Sequence, residues 1–478
     1  MFPIVINNVQ PEIEGGKYPS KTEIDRPLQV KACVFKESQE QLKVIIKHRF
    51  AKDDNWFATP MTLDKPWDDE WSAQLELTEI GSYLYTIEAW VDKYQSWLQD
   101  LKKRIQANTV KEIDLQEGLE LVKETYKFSQ QNEKFKHYLM LLLNTEDSHK
   151  KIDCFLNDKL IELMDKFQVK YQLTEYNKEL EVWVEPIRAR FAAWYEMFPR
   201  SANNSECVHG TFKDCHSRLS YIKDLGFEVI YFPPIHPIGF TNRKGKNNSL
   251  IAKLEDPGCP WAIGSSDGGH KAINPELGTL TDFEELVKEA NNLGLEIALD
   301  FAIQCSPDHP YLQEHPDWFF IRPDGSIKYA ENPPKEYQDI YPINFWCEDR
   351  EALWNELKSI VEFWISKGIK TFRVDNPHTK PFIFWEWLIR EIKNKHPEII
   401  FLSEAFTQRN KMYELAKRGF TQSYTYFTWR NSAPELQEYL NEITSSPVNE
   451  VFRGNLFANT PDILNEYLQK GSRPAFGI

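Results

Sequence analysis

The stretch IKTFRVDNPHTKP, Ile369 to Pro381, decides the fold of this chain. Ile369, Phe372 and Val374 are interleaved with Lys370, Thr371 and Arg373, which predicts a short buried strand, and the Asn-Pro pair that follows stops it at a turn. Asp375 then stands at the C-terminal end of a strand. Side chains two apart share a face, so Arg373 and Asp375 point the same way, and a guanidinium that close keeps a carboxylate ionised. An ionised carboxylate in that place suits a nucleophile, although Arg-x-Asp taken alone is more often a structural ion pair.

The chain around this stretch repeats one pattern. FAAWYEMF leads to the helix DCHSRLSYIKDLG, EVIYFPP to DFEELVKEANNLG, LEIALDFAI to REALWNELKSIVEFWISKG, and IKTFRVDN to FIFWEWLIREIKNKH. IIFLSEAF with MYELAKRG, FTQSYTYFTW with APELQEYLNEI, and NEVFRGNLF with DILNEYLQKG continue it. Consecutive strand–helix steps of this kind predict a parallel sheet, and seven of them favour an α/β (β/α)8 TIM-type barrel over a doubly wound sheet. Catalysis in such a barrel sits where strands end. The long loops at about 234–278 and 306–347 are the expected substrate region, because structureless loops of that length inside a domain are usually functional.

Upstream the texture differs. Residues 1–104 alternate apolar and polar side chains in short runs, which predicts a small β-sandwich, and residues 105–182 carry helical spacing with little Gly, a helical-bundle insert. The reading is therefore multidomain, with the catalytic barrel over 183–478. A net charge of −15 denies the chain the basic field that a phosphate backbone requires, so nucleic acid is not expected as a partner. Seven cysteines, Cys33, Cys154, Cys207, Cys215, Cys259, Cys305 and Cys347, are scattered without C-x-x-C spacing, which fits a reducing cytoplasm and argues for neither disulfides nor zinc. No basic segment followed by an apolar run opens the chain and no long apolar stretch interrupts it, so neither export nor a membrane span is expected.

Asp375, Glu404 in IIFLSEAF and Asp462 in NTPDIL are read as falling at strand ends, with Asp300 in IALDFAIQC as a fourth acid. Two carboxyl groups, one ionised to attack C1 and one protonated to serve the departing oxygen, are the minimal apparatus of retaining glycosyl transfer. Leu402, Ala405 and Phe406 predict an apolar setting for Glu404, which makes it the better acid.

These residues carry a resemblance. FRVD, LSEAF 29 residues further on from its Asp, a later Asp and ALDFAIQC resemble the four short motifs of the α-amylase superfamily, glycoside hydrolase family 13. PPIHPIGFTNRKGKNN, DPGCPWAIGSSDGGHKAINPELGTL, AENPPKEYQDIYPINF, FRVDNPHTKPFIFWEWLI and TYFTWRN look like its α-1,4-glucan:maltose-1-phosphate maltosyltransferase branch, and the likeness runs the length of the chain. It implies transfer of maltosyl units from α-maltose 1-phosphate to the non-reducing end of an α-1,4-glucan in α-glucan biosynthesis, by double displacement through a covalent β-maltosyl enzyme, with release of phosphate. Asp375 resembles the nucleophile, Glu404 the general acid/base and Asp462 the transition-state stabiliser. Lys244, Gln304, Asp339, Asn376 and Arg373 resemble substrate-binding residues, with Asn332 and Tyr337 beside the phosphate. Many superfamily members have Asn-His, a calcium ligand among it, where this chain has Gln304-Cys305, so no metal and no cofactor are expected. A homodimer through the N-terminal domain and helical insert is implied by the family alone.

The chain stops at RPAFGI, inside the seventh helix, where the family continues into an eighth unit and a C-terminal β-domain. The expectation is a barrel without its eighth unit, open at its first and seventh strands and lacking a donor-binding Lys-Tyr pair. Two other readings stand beside the transferase: a truncated, inactive homologue that keeps glucan binding, and an α-glucan hydrolase.

Overall fold

The computed structural model describes residues 3–477 apart from 204, 206 and 207, and Cys207 lies outside them. The other six cysteines are free thiols. The chain divides into two compact units. The first comprises Met1–Pro19, Arg26–Thr78 and Ser82–Trp183, and the second Ser20–Asp25, Glu79–Gly81 and Val184–Ile478.

In the first unit, strands Val5–Gln10, Leu28–Phe35, Glu70–Leu75 and Thr62–Lys65 pair antiparallel in that order. Period-two alternation buries Val30, Ala32 and Val34 on one side of Leu28–Phe35. Leu42–Phe50 lies in a second antiparallel sheet between Phe57–Pro60 and Gly81–Val91. Helices Lys93–Gln106, Glu112–Phe128, Glu133–Asn144, Ser148–Phe155 and Asp158–Lys166 follow. The first helix starts earlier than the change of texture suggests, because Asp92 caps it by accepting from the Gln95 N–H at 2.9 Å. Tyr94, Leu98, Val122, Phe135 and Phe155 fill the space between these helices.

Among the described residues, the second unit is built on seven strands whose spatial order is their chain order, every neighbouring pair parallel. They are β1 (Trp194–Glu196), β2 (Val229–Phe232), β3 (Glu296–Phe301), β4 (Thr371–Val374), β5 (Ile400–Ser403), β6 (Gln422–Tyr424) and β7 (Gly454–Asn455). The intervening helices are α1 (Phe212–Asp224), α2 (Leu280–Asn292), α3 (Arg350–Ser366), α4 (Phe382–Lys395), α5 (Arg409–Lys417) and α6 (Ala433–Thr444). Together they form a curled parallel sheet of alternating strands and helices. Strands β2 to β6 are buried along their whole length, as a parallel sheet covered on both faces requires.

Local chemistry marks the units. Thr211/Asp214 and Thr279/Asp282 form reciprocal capping boxes at the starts of α1 and α2. Gly226 and Gly294 take φ of +89° and +72° just past the ends of these helices, where a side chain would be strained. The seventh strand is shorter than NEVFRGNLF suggests: Val448–Glu450 turns as a 3-10 segment, leaving only Gly454–Asn455 to pair with β6.

At the end of the sheet where strands begin lies a buried charged network. The Lys21 ammonium donates to the carbonyls of Ala416, Phe420 and Val451 at 2.8, 2.6 and 3.0 Å, which lie just ahead of β6 and β7. Arg453 pairs with Glu23 at 2.6 Å and with Glu185, which Lys393 also contacts. Burial pushes the Glu185 carboxyl up, but Lys393, Arg453 and Lys21 outweigh it and hold it down at about 2. Its depressed value is a stabilising contribution, present above the ordinary carboxylate range and lost as pH falls toward 2. Lys21→Met leaves three buried carbonyls without that donor, so a loss of about 3 kcal/mol is expected in urea unfolding. An unchanged midpoint would remove Lys21 from the account of how this end is held.

Candidate active site

Arg373 is the centre of the site because of where the register puts it. It is the Cα partner of Asp300 across β3–β4 and of Leu402 across β4–β5. The ladder runs on past the strand ends, with Asp375 N–H donating to Phe301 O at 3.2 Å and Glu404 N–H to Val374 O at 3.0 Å. These two bonds place both carboxyl groups beside the guanidinium. Arg373 Nη1 meets Asp300 Oδ2 at 2.7 Å and Asp375 Oδ1 at 2.9 Å, and Nη2 meets Glu404 Oε1 at 2.7 Å. Tyr231 O–H and Trp261 Nε1 also donate to Asp300 Oδ2.

One guanidinium in contact with three carboxyl groups does not by itself keep all three ionised. Burial raises Asp375, but the Arg373 guanidinium, then Lys380, more than offset it and leave its carboxyl below the usual range. Burial pushes Glu404 up to about 8; Arg373 opposes, while the charges of Asp375 and Asp300 add to the rise. Asp300 is likewise pushed up to about 6 by burial. At neutral pH the arrangement is thus an ionised Asp375 beside a protonated Glu404.

Both open into a cavity of about 1260 Å³ within the second unit. Gln304, Asn332, Tyr337, Asp339, Asn376 and Asp462 also line it, and Arg373 lies beneath, 4% exposed. Asp462 does not stand at a strand end: it is on the loop after β7, its N–H donating to Thr460 Oγ1 at 3.2 Å, and its side chain is exposed. Lys244 is not in the lining. Its ammonium is buried against Gln338 Oε1 at 2.8 Å and lies 3.9 Å from Asp339 Oδ1, so it backs the wall that Asp339 faces. The loop 306–347 is structured, with Asn332 and Tyr337 on the two arms of a hairpin, Ala330–Asn332 and Lys335–Tyr337.

Sequence reasoning passed over several residues that the structure brings here. Glu196, at the end of β1, is pushed up to about 7 by burial, against Arg373 and with Asp462 and Asp300. Its strand-end position in WYE is the same signal that marks Asp375. Tyr231, Trp261, His378 and Lys380 gave no such signal, since each joins the site only through folding.

One cluster has metal-ligand composition. His270, Cys305 and His309 are buried with their ligand atoms within 4.8 Å of one another. Their nitrogens are already committed. Tyr311 N–H donates to His309 Nδ1 at 3.1 Å, which leaves the proton on Nε2 to meet His270 Nδ1 at 3.1 Å, and His270 Nε2 donates to Ala302 O at 2.9 Å. This tautomer assignment follows from Ala302 O being an acceptor and Tyr311 N a donor. Burial holds His270 down at about 4 and His309 at about 2, so both rings are neutral and the chain of bonds closes without an ion. A metal on His309 Nε2 would have to displace its proton.

A model of the α-1,4-glucan:maltose-1-phosphate maltosyltransferase domain N/S matches residues 3–186, and one of the α-amylase catalytic domain matches residues 194–428. The α-1,4-glucan:maltose-1-phosphate maltosyltransferase of Methylacidiphilum infernorum is 48% identical over 467 residues, covering 98% of this chain and 70% of that one. The enzyme of that name from Myxococcus xanthus is 47% identical over 484 residues, 99% of this chain and 72% of the other. Among solved structures, an α-amylase from Lactobacillus plantarum has 27% identity and a TM-score of 0.44 over 55% of this chain and 62% of that chain. The chain belongs to the α-1,4-glucan:maltose-1-phosphate maltosyltransferase family, glycosyltransferases with an α-amylase-type catalytic domain.

Proposed function

We propose that this chain transfers maltosyl units from α-maltose 1-phosphate to the non-reducing end of α-1,4-glucans, with retention, through a covalent maltosyl-Asp375 intermediate. The observation that carries the reading is the single guanidinium that holds an ionised Asp375 and a protonated Glu404 side by side at the floor of one cavity. That shared fork keeps the two carboxyl groups close, as a double displacement needs.

In the first half-reaction Asp375 Oδ attacks C1, and the bond from C1 to the phosphate oxygen breaks with its electron pair. Glu404 gives its proton to that oxygen. Phosphate is a good leaving group and needs modest acid help, so the stronger demand is on donors for its charge. Asn332 and Tyr337 on the hairpin offer amide and phenol N–H and O–H groups to it, and Gln304 lines the same cavity as a further donor-binding residue. Asp339 and Asn376 take donor hydroxyls, Lys244 supports Asp339 from behind, and Asp462 stabilises the positive charge that develops at C1. In the second half-reaction the acceptor hydroxyl attacks C1, Glu404 takes its proton and Asp375 departs. No metal or cofactor enters either step.

The same reading assigns the two antiparallel sheets of the first unit to a β-sandwich and its helices to an inserted bundle, and carries over a homodimer through them from the family alone. It assigns the enzyme to the cytoplasm, which cysteines scattered without C-x-x-C spacing fit.

Inorganic phosphate release from α-maltose 1-phosphate with glycogen as acceptor is the direct test. Asp375→Asn is expected to lower that rate by at least about 10³-fold. With donor and no acceptor, mass spectrometry should find one maltosyl unit on the peptide containing Asp375, and full activity of Asp375→Asn would sink the nucleophile assignment. Arg373→Lys keeps a charge but loses the fork, so kcat should fall about 100-fold with KM little changed. A variant of unaltered kcat would show that the fork is not needed.

A further inference from the structure

The turn that follows β4 holds its carbonyls in an uncommon way. Asn376 has φ of 43°, in the left-handed region, and precedes a proline, a combination that side-chain sterics disfavour. Lys380 reaches back four and five residues, and its ammonium donates to Asp375 O and to Asn376 O, each at 3.2 Å. Thr379 Oγ1 adds a bond to Asn376 O at 2.8 Å, and Trp385 Nε1 holds Pro377 O at 2.9 Å.

The peptide group between Asp375 and Asn376 faces two ways. Its C=O accepts from Lys380, and its N–H, which a trans plane directs to the opposite side, donates to Glu404 Oε2 at 3.3 Å. A cation on the oxygen of an amide withdraws electron density and makes its N–H a stronger donor. The carboxyl group of Glu404 therefore lies one peptide away from the Lys380 charge, and both line the same cavity.

We infer that Lys380 is a positioning residue for the acid/base Glu404: through the 375–376 peptide it directs a charge-strengthened N–H at the Glu404 carboxylate and stabilises the form left when the proton has gone. The inference rests on the reading of Glu404 given above and adds to it a residue that touches neither donor nor acceptor in order to act. Glu404 also faces Arg373 and Asp375 from β4, Asp300 from β3 and Tyr424 from β6. Lys380 itself is held among Asp375, Glu404, Asp300, Arg373 and His378. Burial lowers its ammonium from the usual lysine range, and the three carboxyl groups oppose that. Arg373 acts on all three carboxyl groups at once, whereas the peptide relay addresses Glu404 alone.

The test uses phosphorolysis of maltohexaose, the reverse reaction, because there a sugar hydroxyl departs in the first half-reaction and the acid is required. The kcat/KM for maltohexaose reports that half-reaction only, so its alkaline limb reports Glu404. Lys380→Gln keeps a hydrogen-bond donor and removes the charge, and its limb is expected to move up by about one unit. Lys380→Arg keeps the charge, and its limb is expected to stay with the native protein. A Lys380→Gln enzyme that loses rate while its limb stays in place overturns the inference and leaves Lys380 a mere brace of the turn. Should that variant be too slow to profile, Glu404 is titrated by NMR on protein carrying 13C-labelled glutamate, its resonance identified by its loss in Glu404→Gln. An unshifted carboxyl there overturns the inference equally. Full phosphorolysis by Glu404→Gln would instead overturn the acid/base reading, and the NMR titration would still decide what Lys380 does to Glu404.

Discussion

The site depends on one buried guanidinium serving more carboxyl groups than it can neutralise. Arg373 bridges Asp300, Asp375 and Glu404, which come from the ends of three adjacent parallel strands. If the three acids were in water, each would titrate in the ordinary carboxylate range and none would hold a proton at neutral pH. Burial makes the shortage of positive charge costly, and the proton that Glu404 retains relieves it. A difference in ionisation between two identical functional groups is thus produced by position alone.

Keeping those positions requires rigidity away from the chemistry. The registers of β3, β4 and β5 are fixed along fully buried strands, where a slip of one residue would send Arg373 to the opposite face. At the other end of the same sheet, Lys21, Glu23, Glu185, Lys393 and Arg453 hold the approaches to β6 and β7 by charge-assisted bonds. The loops above are tied by neutral groups, through the chain from Tyr311 N–H by way of His309 and His270 to Ala302 O, which stays intact across the working pH range because both rings lie far below it.

What the sequence made legible follows from periodicity and local chemistry. The strands ending at Asp300, Asp375 and Glu404 were readable because each is a short apolar run ending at an acid, and helices α1 and α2 because Thr/Asp capping boxes and following glycines bound them. Asp462 was misplaced, since GNLFANTPDIL contains a turn that no run of apolar residues betrays. Lys244 read as a substrate-binding residue by resemblance, and its burial against Gln338, a contact across 94 residues, is encoded by no spacing rule. Lys380 was invisible for a different reason: its meaning lies in a backbone turn, and the atoms it bonds are carbonyls that every residue has.

On the reaction proposed above, the charges at the cavity floor would let one carboxyl group be acid and then base. Before reaction Arg373 and Lys380 are positive, Asp375 and Asp300 negative, and Glu404 neutral. In the double displacement proposed above, Asp375 would lose its charge on becoming an ester, and the proton lost by Glu404 would restore the same sum. The Asp375 charge is one of the causes that raises Glu404, so its removal makes Glu404 a stronger acid at the step where its proton must leave. In the second proposed half-reaction the Asp375 charge would return as the ester is broken, making Glu404 a better base just as the acceptor hydroxyl gives up its proton. Neither half-reaction then builds net charge in a buried site, where an unbalanced charge is most expensive. The alternation needs the two carboxyl groups to share one cation at contact distance, which is what the β4–β5 register supplies.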